Sequence, residues 1–168
     1  MAKNDSKAAV IQIKNALQSN PNLPEARFLL GATLFESGDP VGAETELRKA
    51  LDLGHPQDMV VPLLARAMLA RGDARKLTDE FAKVELTSPS AKSSFLTTLS
   101  SAYGLQGKAD LSQAALTAAL LAEPGYVPAL ILRARQKADQ RDDDGDLALT
   151  EDVISRQPKS HEAWTLKG

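Results

Sequence analysis

Proline recurs along the chain at a nearly fixed interval, and this spacing limits the possible fold more than any other feature. Pro21, Pro56, Pro89, Pro124 and Pro158 are separated by 35, 33, 35 and 34 residues. A second series of turn residues keeps the same phase, and its members are Asn4-Asp5, Gly38-Asp39, Gly72-Asp73, Gly107-Lys108 and Arg141-Asp142. Because proline and glycine interrupt helices, two such series in phase indicate a repeated unit of about 34 residues with two helices and two turns.

The residues between the turns have helical periodicity. Hydrophobic residues make up 43% of the chain but aromatic residues only 4%, so the apolar mass is mostly alanine and leucine, which are strong helix formers. Leu30, Gly31 and Leu34 share a face of the first helix of a pair, and Ala43 and Leu47 share a face of the second. Gly31 is expected to let the two helices approach closely. No segment alternates as a strand does, so the sequence predicts an all-α solenoid.

The phase of the two series divides residues 1–168, taken as one domain, into repeats. Four are whole (24–57, 58–92, 93–126 and 127–160), and half repeats occupy 5–23 and 161–168. We expect nine or ten helices of about 11–15 residues. The turns within pairs are expected at Gly38, Gly72, Gly107 and near Asp142–Gly145. Pro62 falls inside a predicted helix, which is tolerable if Asp58 caps that helix.

The two half repeats predict incomplete packing at both ends. Residues 5–19 are expected to form a lone second helix, and residues 161–168 the start of a first helix. The chain is therefore interpreted as part of a longer solenoid. Uncovered apolar faces at solenoid ends stack on neighbours, so end-to-end self-association is expected. The apolar residues concerned are Ala9, Ile13, Leu17, Trp164 and Leu166.

A unit of this length with these turns is typical of the tetratricopeptide repeat, whose helix pairs form a right-handed superhelix. Four segments carry a closer resemblance: Glu25-Ala-Arg-Phe-Leu-Leu-Gly, Glu46-Leu-Arg-Lys-Ala-Leu-Asp-Leu-Gly, Pro62-Leu-Leu-Ala-Arg-Ala and Glu162-Ala-Trp-Thr-Leu-Lys-Gly. Together they resemble the tetratricopeptide-repeat lipoprotein of bacterial PEP-CTERM/exosortase systems. That resemblance implies a non-catalytic scaffold in the bacterial envelope, facing the periplasm and linked to exopolysaccharide production. Its anchor would lie outside this chain, because the chain has no lipobox cysteine.

Two other interpretations stay open. One is a cytoplasmic adaptor or regulatory module, and the other is an enzyme whose catalytic domain lies elsewhere. A signal sequence or lipobox in the parent gene would favour the envelope protein over the adaptor. Unexplained non-helical sequence in the parent chain would favour the enzyme.

The resemblance also implies where a ligand binds. In the family, one face of each first helix lines a concave groove, and the matching positions here give the candidates Phe28, Phe35, Arg66, Leu69, Ser101, Ile131 and Arg135. Aromatic and arginine side chains are common interface hot spots. The expected ligand is a protein or peptide with acidic side chains. An anionic polysaccharide is the alternative. In the alternative interpretation, the phenylalanines fold into the core and the two arginines pair with Glu36 and Asp139.

The family's clamp for a chaperone carboxylate is not predicted. It uses lysine and asparagine at two groove positions of one repeat, and the corresponding residues here do not match. The pairs are Phe28/Ala32, Pro62/Arg66, Thr97/Ser101 and Ile131/Arg135.

The sequence lacks the patterns of other functional classes. It has no cysteine, and its two histidines, His55 and His161, lie beside the punctuating prolines without metal-ligand spacing. Residues 140–151 approach a calcium loop, but Gln140 stands where a carboxylate should begin it, and a polar turn is expected instead. The net charge of −2 does not fit nucleic-acid binding, and no apolar run reaches the ~20 residues that span a bilayer. We predict no catalytic residues, cofactor or metal.

Overall fold

The computed structural model describes residues 2–139 and 154–155, and this part of the chain is all-α. Eight helices lie in it: α1 (Ala2–Ser19), α2 (Pro24–Glu36), α3 (Pro40–Asp52), α4 (Gln57–Ala70), α5 (Ala74–Phe81), α6 (Pro89–Leu105), α7 (Ala109–Ala122) and α8 (Val127–Asp139). The pairs α2/α3, α4/α5 and α6/α7 stack in chain order, with α1 packed before them and α8 after them. This confirms the predicted solenoid of helix pairs. The expected turn near Asp142–Gly145 and the segment 161–168 lie outside the described residues.

Glycine ends the first helix of each described pair. Gly38, Gly72 and Gly107 have φ of 84°, 84° and 70°, in the left-handed region that a side chain strains. In each turn the amide of the residue after the glycine donates to a carbonyl five residues back, at 2.9–3.0 Å. These bonds satisfy carbonyls that the helix end leaves without partners. The three turns therefore lie where the sequence predicts them.

Asp58 does not cap α4, contrary to expectation. The helix begins at Gln57, and Pro62 lies in its buried interior. The carboxylate of Asp58 instead accepts hydrogen bonds from the backbone amides of Thr87 and Ser88, at 2.8 and 2.9 Å, and from the Thr87 hydroxyl. The side chain thus ties the start of α4 to the connection that precedes α6.

That connection is longer than the repeat phase predicts. The helix α5 has 8 residues and ends at Phe81, whereas α3 has 13 and α7 has 14. The next helix, α6, begins at Pro89, four residues before the predicted start of repeat 3 at residue 93. Proline is favoured at the first position of a helix, because its missing N–H would have no partner there. Pro89 therefore starts α6 and does not end the helix before it.

The pairs close on small residues. A Cβ added to Gly31 would lie 2.7 Å from Cγ of Leu47 and 3.2 Å from the carbonyl oxygen of Ala43, so the close approach predicted at Gly31 is present. In the α6/α7 pair, Ser100 occupies the repeat position of Gly31 and faces Ser112. Each of these two hydroxyls lies 2.8 Å from the backbone oxygen of the other residue. One pair therefore closes by van der Waals contact and the other by hydrogen bonds.

Candidate functional site

A cavity of about 450 Å³ opens along the first helices of successive pairs, and we name it the Arg66 groove. Its wall is formed by the end of α2, the second half of α4, one face of α6, and the α7–α8 connection with the start of α8. The residues that line it are Phe35, Arg66, Leu69, Ala70, Ser94, Thr97, Thr98, Ser101, Tyr126 and Pro128. Four of the predicted site residues, Phe35, Arg66, Leu69 and Ser101, are therefore brought together. Their role in binding stays a prediction.

Arg66 is the only charged side chain among the lining residues in the described part of the chain. Its guanidinium carbon lies 5.0 Å from the centre of the Phe35 ring, the distance of a cation–π contact. The residue is exposed, and within residues 2–139 no carboxylate forms an ion pair with it. The expected alternative, in which Arg66 pairs with Glu36, is not what the structure has. The guanidinium therefore lies over the Phe35 ring without a carboxylate partner among these residues.

The face of α6 in the groove carries four hydroxyl groups. Thr97, Thr98 and Ser101 each lie within hydrogen-bond distance of a carbonyl oxygen four residues back in their own helix, at 2.7, 3.0 and 3.3 Å. A hydroxyl that donates to its own helix retains its lone pairs and can still accept; Ser101 is half-buried, whereas Thr97 and Thr98 are buried. Ser94 is the fourth hydroxyl of this face.

Tyr126 and Thr98 line the groove although neither occupies a predicted groove position, and Tyr126 lies outside the first helices altogether. It lies in the connection before α8, where its amide donates to the carbonyl oxygen of Glu123 at 3.0 Å. The positions derived from the repeat cover first helices only, so a connection residue has no place among them. The available signal was an aromatic residue directly before Val127-Pro128, where a helix start is expected.

The other three predicted site residues lie outside the Arg66 groove. Phe28 is half-buried and its ring stacks on His55, with the ring centres 4.8 Å apart. Ile131 is only 7% exposed and packs with Leu116 and Leu120 of α7, so its side chain belongs to the core. Arg135 is exposed on α8 and does not line the cavity.

A second polar cluster joins the first and second helix pairs. Glu44 of α3 is 5% exposed, and its carboxylate pairs with Arg48 at 2.8 Å, with Lys76 at 3.4 Å and with Arg71. Arg48 also pairs with Glu80 at 2.7 Å. Burial raises the pKa of Glu44, but the hydrogen bonds from Arg48 and Arg71 outweigh it and hold that pKa below its ordinary value. The cluster stabilises the joint between α3, α4 and α5.

The described residues form neither a metal-binding cluster nor a membrane-spanning helix. Neither 2–139 nor 154–155 contains a group of three or more histidine, aspartate or glutamate side chains that could hold a metal ion. Within the same residues, no helix is both long and apolar enough to cross a membrane. The calcium-loop stretch 140–151 and His161 lie outside the part of the chain that the structure describes.

Solved structures with the same fold are helical repeat proteins. A crystal structure of MamA has 19% sequence identity and a TM-score of 0.74, covering 94% of this chain and 92% of its own. YrrB, described as a TPR protein with an unusual peptide-binding site, has 17% identity and a TM-score of 0.58, covering 99% and 85%. The Cut9–Hcn1 hetero-tetramer of APC/C has 12% identity and a TM-score of 0.58, covering 98% and 39%. No family model and no curated sequence matches the chain.

Proposed function

We propose that this chain, which has the fold of tetratricopeptide-repeat proteins, is a non-catalytic scaffold that binds a protein or peptide in the Arg66 groove. The observation that carries the proposal is the lining itself. Apolar Phe35, Leu69 and Pro128 stand beside Arg66 and the hydroxyls of α6, and they come from successive repeats. An extended segment could contact all of them at once. Apolar anchors with few polar groups are the composition of a recognition site.

The fold similarity supports a role in protein binding. YrrB is described as having a peptide-binding site, and Cut9 forms a hetero-tetramer with Hcn1. Solenoids of this kind use an extended surface formed by successive repeats. The Arg66 groove is such a surface, because α2, α4, α6 and α8 all contribute to it.

Selection of peptides from a random phage-displayed library tests the proposal. Peptides that bind the wild type should lose binding to Phe35→Ala and to Leu69→Ser, because these changes remove the apolar wall. Leu121→Ser is the matched control, since Leu121 is 83% exposed on α7 and does not line the groove. Selected peptides that bind the groove variants as tightly as the control would show that binding occurs elsewhere.

The cellular setting is a further part of the proposal. We place the scaffold in a bacterial envelope assembly of the PEP-CTERM/exosortase type, on the resemblance of the segments that begin at Glu25, Glu46, Pro62 and Glu162. The alternative is a cytoplasmic adaptor. Fractionation of the source cells distinguishes them, because an envelope protein sediments with membranes and an adaptor stays in the supernatant.

Self-association is proposed for the N-terminal face. Leu17, which the sequence predicts to be uncovered at this end, is buried, so that part of the prediction is wrong; Ile13 is half-buried and Ile11 is 57% exposed. Among the described helices α1 contacts only α2, so we expect a second copy to cover the side of α1 that carries Ile11. Light scattering should give a mass above 18.0 kDa that falls for Ile11→Glu. A strict monomer at all concentrations would contradict this.

A further inference from the structure

The chemistry of the Arg66 groove defines its ligand more narrowly than its shape does. Among the described residues that line the groove, Arg66 is the only ionised side chain, and no acidic one accompanies it. The groove therefore favours a ligand that brings negative charge to this one point. A carboxylate can accept two parallel N–H bonds from the edge of a guanidinium. Arg66 lies over the Phe35 ring and has no carboxylate partner within residues 2–139, so its N–H groups can pair with a carboxylate of the ligand.

The hydroxyl groups of α6 differ from Arg66 in that they act as hydrogen-bond acceptors. Thr97, Thr98 and Ser101 lie within donating distance of carbonyl oxygens of α6, so a ligand that reaches these hydroxyls meets hydrogen-bond acceptors; Ser101 is half-buried, and Thr97 and Thr98 are buried in the free chain. A ligand facing them must supply N–H or O–H donors. An extended peptide has a backbone N–H at every residue except proline. A polyanion such as a phosphorylated segment would instead place further acceptor oxygens against these acceptors.

We propose that the Arg66 groove binds an extended, unphosphorylated peptide segment with one acidic side chain between apolar residues. The carboxylate pairs with Arg66, the apolar neighbours contact Phe35, Leu69 and Pro128, and backbone N–H groups donate to Thr97 and Ser101. This inference rests on the proposed function, since it names the ligand class of the same groove. It favours a peptide over the anionic polysaccharide that the sequence left open, because repeated anionic groups would meet one cation only.

Titration of the isotope-labelled chain with defined probes, followed by NMR, tests the inference. The reference probe is a capped hexapeptide with one glutamate between leucines. The others carry glutamine, phosphoserine, or N-methylated backbone amides at the same positions, and the last probe is an oligogalacturonate. The glutamate probe should shift the signals of Arg66, Thr97 and Ser101. The glutamine and N-methylated probes should each bind about tenfold more weakly or worse, since each removes a hydrogen-bonding group.

Two variants separate the charge from general effects. Arg66→Ala should remove the preference for glutamate over glutamine while leaving the apolar contacts. Arg75→Ala is the matched control and should keep that preference, because Arg75 is an exposed arginine of α5 outside the groove.

Three outcomes would overturn the inference. The phosphoserine probe or the oligogalacturonate could bind more tightly than the glutamate probe. The glutamine or the N-methylated probe could bind as well as the reference, which leaves groove binding intact but removes the stated chemistry. The third outcome is that none of the probes shifts a groove signal although phage-selected peptides still bind there. In that case only the ligand class is wrong. If the phage-selected peptides also fail to bind in the groove, the proposed function itself is contradicted.

Discussion

Gly31 illustrates how one missing side chain sets the distance between two helices. An added Cβ would lie 2.7 Å from Cγ of Leu47, which real contacts do not reach, and 3.2 Å from the rigid carbonyl of Ala43. Overpacking of a close contact costs about 1–3 kcal/mol. We expect Gly31→Ala to lower the free energy of unfolding by this amount, measured by urea denaturation.

Gly104 provides the matched control, since it is also a glycine in a helix. A Cβ there would meet only the Oγ of Ser112, at an ordinary 3.7 Å. Alanine is the better helix former by about 0.5–1 kcal/mol. Gly104→Ala should therefore leave stability unchanged or raise it slightly. Equal losses for the two variants would show that the Gly31 contact is not what holds α2 against α3.

At the scale of residues, periodicity predicted part of the candidate site. Phe35, Arg66, Leu69 and Ser101 share one cavity because each occupies a position that the repeat assigns to the groove side of a first helix. Ile131 occupies such a position too, yet its side chain packs on α7. A repeat position fixes which side of a helix a residue is on, but the helix packed against it decides whether that side is covered. Tyr126 was not predicted because it lies in the connection before α8 and not in a first helix.

At the scale of elements, Asp58 is the contact that holds the connection between α5 and α6. Hydrogen bonds from the Thr87 side chain and backbone lower the pKa of Asp58 below its ordinary 3.8. Asp58→Ala removes the acceptor, so the amides of Thr87 and Ser88 should exchange with solvent deuterium faster. Hydrogen exchange followed by NMR measures this, with Ser101 inside α6 as an internal reference.

Asp79→Ala is the control for this prediction. Asp79 is an exposed aspartate of α5 that pairs only weakly with Arg75, at 3.8 Å. Its removal should leave the amides of Thr87 and Ser88 protected. Unchanged protection in Asp58→Ala would mean that packing of Leu86 and Phe95 alone fixes the connection.

The position of this connection was beyond what the repeat phase could predict. Proline can end one helix or begin the next, and the sequence interval is the same in both cases. Pro89 begins α6, and Pro56 precedes the first residue of α4. Asp58 is also 29 residues away from Thr87 in the chain, so no local pattern indicates their contact. The helix turns, in contrast, were predictable because glycine is required where φ is positive.

At the scale of the whole molecule, stability should depend on pH through Glu44. The pKa of Glu44 in the folded chain lies below its ordinary 4.5, because the bonds from Arg48 and Arg71 outweigh burial. The folded state then binds fewer protons than the unfolded state, so this contribution is complete above 4.5 and is lost as pH falls through the lowered pKa. We expect the thermal midpoint to fall on acidification below about pH 4.5, as measured by circular dichroism.

Glu44→Gln should weaken both stability and its dependence on pH. A carboxylate removed from a buried pair costs about 3–5 kcal/mol, and we expect about 1–3 here because Arg48 and Arg71 remain 32% exposed. Glu25→Gln is the control, as Glu25 is exposed at the start of α2. If the thermal midpoint falls with pH equally in the wild type and in Glu44→Gln, the pH dependence of stability comes from other groups, Glu46 among them.

The identical glycine turns have a consequence for the gene. Gly38, Gly72 and Gly107 close their helices with the same two hydrogen bonds, from the glycine amide and from the amide after it. A misaligned recombination that joins the codon of one of these glycines to that of the next would leave an intact turn at the junction. The product would be longer or shorter by one helix pair, with the turn residues unchanged. Arrays of this kind can therefore gain or lose a unit in a single genetic event and remain foldable.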